Sequence, residues 1–308
     1  MIRKILRKAA LCIPPIGRLY DDRNRLRQEL LEIRTRSPSR YYPYFYLGNR
    51  NALVFTSKGR PIFVHTQTFD LCLKLISEGQ WEPSTESVIR RHLRPGDTVV
   101  EIGCNHGHHS LAICEEIGPR GKLYGFEANP EIFPLLRKTL TYNDFHHRAE
   151  LFNLAIGNQR GQVPFCFDRR DFSGGWVGQT EDREHVNSTV PMSRLDDVLA
   201  HVSHINMLRM DIEGSEGNAI KGGIDLIKRS PNLTIISEWN PGYLLRAGSD
   251  PEEIAELLSS IGFRASRING DASLRLFQPR SCQSYSTATC FSKKVRKGTF
   301  AKPILAAS

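Results

Sequence analysis

Between residues 97 and 263, short apolar runs alternate with segments whose apolar positions recur every three to four residues. DTVVEIG (97–103), GKLYGFEAN (121–129), AELFNLAIG (149–157), HINMLRMDIEG (204–214) and LTIISEWN (233–240) predict strands. Their apolar stretches are nearly continuous, as in strands buried on both faces. HHSLAICEEIG (108–118), PEIFPLLRKTLTYN (130–143), SEGNAIKGGIDLIKRS (215–230) and PEEIAELLSSIGF (251–263) predict helices between and after them. Pro130 stands at a permitted first-turn position and Gly118 at a helix stop. This alternation predicts one α/β domain, a mostly parallel sheet with helices on both faces.

The flanks follow other rhythms. Residues 1–37 are a basic extension in which Leu19, Leu26, Leu30 and Ile33 keep helical spacing, with Asp21 and Asp22 placed to cap it. Such a seam can pack on its own domain or pair with a second copy in a homodimer. Residues 38–96 read as a cap: aromatic-rich strands, a helix from about Phe69 to Gly79, and a second helix stopped by Pro95 and Gly96. The main domain is expected over 97–290, with 159–191 breaking the alternation as an inserted hairpin or lid. A basic tail, 291–308, completes the chain.

Composition narrows the class. A hydrophobic fraction of 40% in 308 residues supports a real core. With no apolar run of eighteen residues, no spanning helix is expected. The seven cysteines are scattered without metal-ligand spacing, so reduced thiols in a cytoplasmic setting are expected. Net charge is +9 overall, but residues 1–40 carry +7 and 291–308 carry +5, leaving the stretch between them about −3. The positive field therefore belongs to the two tails. They are able to touch an anionic membrane peripherally, whereas no nucleic-acid channel is expected through the core.

The strongest local signal is VVEIGCNHGHHS. Glu101 ends a strand, and Gly103, Asn105 and Gly107 form the turn into a helix. The run lacks the G-x-G-x-x-G spacing of a pyrophosphate site, and a nucleoside cofactor without phosphates suits the looser turn. Glu127 ends the next strand, where an acid accepts hydrogen bonds from ribose hydroxyls. Ala128 and, from the third strand, Ala155 are placed to flank a purine. Glu101 is placed to face a cofactor ammonium group.

The fourth strand ends in M-D-I-E-G-S-E. Asp211, Glu213 and Glu216 fall within six residues, and Glu238 ends the fifth strand in the same crevice. Acids so concentrated face ligand, or pair with Arg209 or Lys221. Asp211 is the first candidate to position or deprotonate a hydroxyl acceptor, with Glu213, Glu238, His106, His108 and His109 as further candidates. Two carboxylates at i and i+2 are weak evidence for a divalent ion, so no metal is expected. Asn240–Tyr243, N-P-G-Y, is similar to the N-P-P-Y of DNA amino-methyltransferases, but its third residue is glycine and it follows the fifth strand. It reads as a turn at the crevice rim, alongside Trp81, Trp176 and Trp239.

Taken together, RPGDTVVEIGCNHGHHS, KLYGFEANPEIFPLLRKTLTYN, LDDVL, INMLRMDIEGSEGNAIKGG and the acid of IISEWNP resemble the FkbM family of methyltransferases over about half of the chain. The resemblance implies a class I, Rossmann-like methyltransferase fold using S-adenosyl-L-methionine. It assigns Glu101, Gly103, Asn105, Gly107 and Glu127 to the cofactor, and Asp211, Glu213, Gly214 and Glu216 to a core D-x-E-G-x-E segment. Trp81 and Glu82 match an upstream aromatic–acid pair that closes the site. His108 and His109 depart from the family, standing where aromatic residues are common. Leader residues 11–26 also resemble those of bacterial surface-glycan proteins, which favours a sugar or glycan hydroxyl as acceptor. A polyketide acceptor, a nucleic-acid acceptor and a non-catalytic scaffold are the alternatives.

Overall fold

The computed structural model describes residues 42–168, 172, 174–178, 185–276 and 287–293. The extension 1–37, with its dimer and membrane readings, lies outside them, as does the tail beyond Lys293. The cap opens with β1 (Tyr44–Gly48), β2 (Asn51–Phe55) and β3 (Pro61–His65), an antiparallel meander. Then come α1 (Phe69–Glu78) and α2 (Pro83–His92). Gly79 ends α1 in the left-handed region at φ 65°, donating its N–H to the Leu75 carbonyl at 3.0 Å. Pro83 occupies the first turn of α2, where no amide donor is needed.

The main domain runs β4 (Thr98–Ile102), α3 (His108–Ile117), β5 (Lys122–Phe126), α4 (Phe133–Tyr142) and β6 (Ala149–Phe152). A side sheet follows, from β7 (Ala155–Ile156), β8 (Gly161–Asp168), β9 (Trp176–Val177) and β10 (His185–Ser193). The chain returns through α5 (Leu195–Val198), β11 (Met207–Met210), α6 (Glu216–Gly222), α7 (Ile224–Lys228) and β12 (Thr234–Trp239). It closes with α8 (Pro241–Arg246), α9 (Pro251–Ser260), β13 (Arg264–Ile268), β14 (Leu274–Leu276) and β15 (Thr287–Ser292).

The eight-stranded sheet has the order β14-β13-β15-β12-β11-β4-β5-β6. Strands β6, β5, β4, β11 and β12 are mutually parallel, and β15 lies antiparallel between β12 and β13. Alternate residues divide the core. Val99, Leu123, Met207 and Ile236 face α2 and α3, while Val100, Tyr124, Leu208 and Ile235 face α6, α7 and α9. From β4 the chain steps outward to β6, then returns to place β11 on the other side of β4. That reversal opens a crevice at the carboxyl ends of β4 and β11, where open α/β sheets bind ligands.

Several local expectations are corrected. The strand expected over 149–157 divides, because Asn153 Nδ2 donates to the carbonyls of Glu127 (2.8 Å) and Ala128 (3.1 Å) and turns the chain out of the sheet. The two residues of β7 then pair with β10 of the side sheet. The helix over 215–230 divides at Gly222 and Gly223, where a Cβ on Gly222 would lie 1.9 Å from the Gly157 carbonyl oxygen. The helix expected from Pro130 begins at Phe133, with Pro134 in its first turn. Asn240–Tyr243 is the start of α8, with Asn240 Oδ1 accepting the Tyr243 amide at 3.2 Å. The antiparallel β15 had no signal in the apolar pattern.

Candidate active site

A cavity of about 250 Å³ opens at the switch point. Gly103, Asn105, Glu127, Ala128, Ala155, Asp211 and Glu213 all line it. Glu82, Glu101, Gly107, Glu238, His106 and His108 are not among its lining residues.

Two loops shape its floor. Gly103 has φ 82°, and a Cβ there would stand 2.0 Å from the Asp211 carbonyl oxygen, so only glycine permits the β4 and β11 loops to meet. Asn105 is also left-handed at φ 50°. Its backbone N–H donates to Glu127 Oε2 at 2.7 Å, and Asn129 donates its own to Oε1 at 2.8 Å. Burial nevertheless pushes the Glu127 carboxyl up to about 7, against the two amide bonds that pull it down.

Beneath the floor, Glu101 is fully buried. Ser110 Oγ donates to its Oε2, and Arg209 Nη1 lies 3.6 Å from Oε1, which has no hydrogen-bond partner. Burial raises the Glu101 pKa, with Arg209 opposing. Arg209 also donates to the Gly103 carbonyl and to Asp211 Oδ2, both at 2.7 Å. One buried guanidinium therefore ties both loops to Glu101. The β11–β4 register, Arg209 opposite Glu101, makes that tie.

Asp211, Glu213 and Glu238 converge, each offering a carboxylate oxygen within 4.8 Å of the others. This is closer company than the i, i+2 spacing implied, and Glu213 reaches it through a left-handed backbone at φ 54°. Burial raises the Asp211 pKa, with Arg209 opposing. Glu216 instead turns away, its Oε1 accepting the Ile212 amide at 2.9 Å, and burial pushes it up to about 8. Lys221 pairs with Glu253 rather than with these acids.

The histidine candidates sit apart from the cavity. His106 is fully buried: Nε2 accepts the His65 amide at 3.0 Å, and Nδ1 meets Asn105 Oδ1. Both ring nitrogens are thus committed, and burial pulls the imidazole down to about 3. His108 Nε2 lies 3.1 Å from Glu86 Oε2, and His109 Nε2 lies 3.2 Å from Glu82 Oε2. These rings join α3 to α2, which the sequence alone could not distinguish from catalytic placement.

The rim also differs from expectation. Trp81 and Trp176 line the cavity, but Trp239 is fully buried against Phe291, their ring centroids 5.5 Å apart. It neighbours Glu238 on one strand, so the two side chains take opposite faces. Sequence reasoning missed Asp70, Phe165 and Phe172 as lining residues. The last two come from the side-sheet segment, whose sequence carries no ligand motif.

The sheet order, the antiparallel β15 between β12 and β13, and an acid-edged cavity at the switch point define a class I S-adenosylmethionine-dependent methyltransferase. The chain belongs to the FkbM methyltransferase family: the Methyltransferase FkbM domain matches residues 101–265. A 2-O-methyltransferase NoeI from Sinorhizobium fredii is 25% identical over 227 residues, covering 66% of this chain and 91% of that protein. A demethylmenaquinone methyltransferase from Symbiobacterium thermophilum is 27% identical, covering 36% of this chain and 43% of that one. A solved O-methyltransferase from Thermotoga maritima is similar at TM-score 0.38 and 14% identity, covering 79% of this chain and 78% of that chain. Among the described residues no helix is long and apolar enough to cross a membrane.

Proposed function

We propose that this methyltransferase acts on a hydroxyl oxygen of a sugar or glycan precursor. The observation that carries the reading is the pairing of the acids Asp211 and Glu213, on which Glu238 converges from outside the lining, with the indoles of Trp81 and Trp176 at one cavity. Carboxylates accept several hydroxyl donors at once, while indole rings cover the apolar face of a pyranose. The 2-O-methyltransferase relative, which the chain matches over most of its length, supports oxygen as the acceptor atom.

The residues fit the cofactor. Glu127 spends one lone pair of each oxygen on a backbone amide and keeps the others for a ribose diol. Ala128, Ile132, Ala155 and Phe165 offer an apolar slot beside it for a purine. S-adenosylmethionine, when bound, supplies an electrophilic methyl group. The protein's own task is then alignment and proton removal. Asp211 is assigned to the proton: Arg209 fixes one of its oxygens, and its side chain keeps 32% exposure at the cavity. Its raised pKa makes it a stronger base than an ordinary carboxylate. The basic tails support attraction to an anionic membrane or acceptor.

Incubation with cell-derived glycan precursors and isotopically labelled cofactor, followed by mass spectrometry, tests the reading. Label on a carbohydrate oxygen is expected. Label confined to nitrogen, carboxylate or nucleic acid would overturn it.

A further inference from the structure

The mechanism leaves one buried histidine without a task, and its partner stands at the mouth of the site. Glu82 precedes α2 in a left-handed conformation, φ 44° and ψ 60°, which is unfavourable for a residue with a side chain. Its carbonyl accepts the Glu86 amide at 3.0 Å, but its side chain makes no capping bond to α2. What the carboxylate does reach is His109, whose Nε2 lies 3.2 Å from Oε2. His109 belongs to the first turn of α3, immediately after the cofactor loop, and is 3% exposed. Its other nitrogen, Nδ1, is buried with no hydrogen-bond partner. Among the described residues, the ring's one hydrogen bond is therefore to Glu82.

Two further observations set the direction of the effect. Trp81, the residue before Glu82, lines the cavity. The Glu82 carboxylate also lies within electrostatic reach of the Arg209–Asp211 pair, drawing its own pKa down and pushing that of Asp211 up. Glu82 therefore stands behind Trp81, outside the lining itself but next to a residue that belongs to it. The neighbouring pair, His108 with Glu86, is continued by Lys58 and by Arg90, which reaches Glu115 and Glu116 of α3, so it braces α2 against α3.

We propose that His109 is a positioning residue that holds the Glu82 carboxylate, and with it the Trp81 corner of the cavity, against the helix that leaves the cofactor loop. The imidazole is neutral, because burial, joined by the nearby Arg209, pulls its pKa down to about 4. Nε2–H then donates to the carboxylate, and no proton is exchanged.

The test is calorimetric binding of S-adenosylmethionine and S-adenosylhomocysteine to the full chain, so it does not depend on the acceptor. His109→Leu and Glu82→Gln are each expected to weaken binding about tenfold, the loss of one hydrogen bond to a charged group. The double variant should be no weaker than either single one, because both remove the same contact. His109→Gln, which keeps an N–H at the Nε2 position, should restore binding to within about threefold of the parent. Thermal melts separate placement from folding: His109→Leu and His109→Gln should lose similar stability yet differ in cofactor affinity. Wild-type affinity in His109→Leu, additive losses in the double variant, or equal loss in His109→Gln and His109→Leu would each overturn the assignment.

Discussion

On the β4–β5 side of the cavity, polar groups are tied to the backbone of two neighbouring strand ends. Glu127 accepts amides from Asn105 and Asn129, and the Asn105 side chain accepts the His106 amide. Across the cavity the surface is assembled from afar: Trp81 from the cap, Trp176 from the side sheet, and Asp211 and Glu213 after β11, with Glu238 of β12 converging on those acids from outside the lining. The first side is a rigid socket of short-range contacts. The second depends on where four separate segments meet, so it can be re-shaped by loop changes without disturbing the first. A cofactor common to a whole class suits the former construction, and an acceptor particular to one enzyme suits the latter.

The sharpest way to break this division is to damage the one place where both sides meet. Gly103→Ala would push a methyl group into the Asp211 carbonyl at a left-handed backbone position. A destabilisation of about 3 kcal/mol or more is expected, with cofactor binding lost, read by denaturant unfolding and calorimetry. Arg209→Met should come next. It strands the buried Glu101 carboxylate, and uncoupling a buried charge costs about 3–5 kcal/mol in unfolding experiments. Arg209→Lys keeps a charge at the position and should lose markedly less. If Arg209→Met unfolds no more easily than the parent, the guanidinium is not the tie between the two loops.

Glu127 sharpens the comparison through pH. Its carboxyl titrates near 7 in the folded, cofactor-free protein against an ordinary value of 4.5. The folded state therefore holds this proton more tightly than the unfolded chain. That stabilisation is fully present below 4.5 and is lost as pH rises through 7. Cofactor affinity should run the other way, improving as the carboxylate ionises to accept ribose hydroxyls. Glu127→Gln should reduce both slopes, leaving the share of the stability slope that Glu216 carries, and weaken S-adenosylmethionine binding by about 2 kcal/mol. Melts and titrations between pH 5 and 8 would expose the error if both slopes share a sign.

The contrast between the two sides also explains what the sequence could disclose. The alternation of Val99 with Val100 and of Leu123 with Tyr124 is a local record of a sheet covered on both faces, so the α/β core was legible. Glu127 and the 101–107 loop were legible for the same reason, since strand end and helix start are adjacent in the chain. His106 and Trp239 were misplaced because a polar ring on a loop and an aromatic at a strand end look alike whether they face ligand or core. Only the His65 amide and the Phe291 ring, contributed by distant segments, decide the matter. The antiparallel β15 depends on pairing across a gap of sequence and leaves no periodic mark. The acid cluster was visible as composition, but its closeness needed the left-handed turn at Glu213.

The smallest expected effect probes the acceptor side alone. Trp176 lines the cavity from the side sheet, and Arg246 of α8 lies over its ring at 5.3 Å and over Tyr243 at 4.6 Å. The same guanidinium donates to the Glu213 carbonyl at 3.3 Å, so one exposed side chain links the side sheet, α8 and the acid loop. If the acceptor is the proposed carbohydrate, removing the platform with Trp176→Ala should raise its KM about tenfold, the scale of a stacked ring lost from a pocket. Removing only its support with Arg246→Met should do less. Exposed cation–π contacts contribute about 0.5–1 kcal/mol, which converts to a roughly two- to fivefold rise in acceptor KM. Neither substitution touches Glu127 or the 101–107 loop, so the S-adenosylmethionine Kd should stay at the parent value in both. Steady-state kinetics at saturating cofactor, paired with direct titration, reads the two sides separately. An Arg246→Met enzyme that loses cofactor affinity while keeping its acceptor KM would show that the side sheet answers to the cofactor instead.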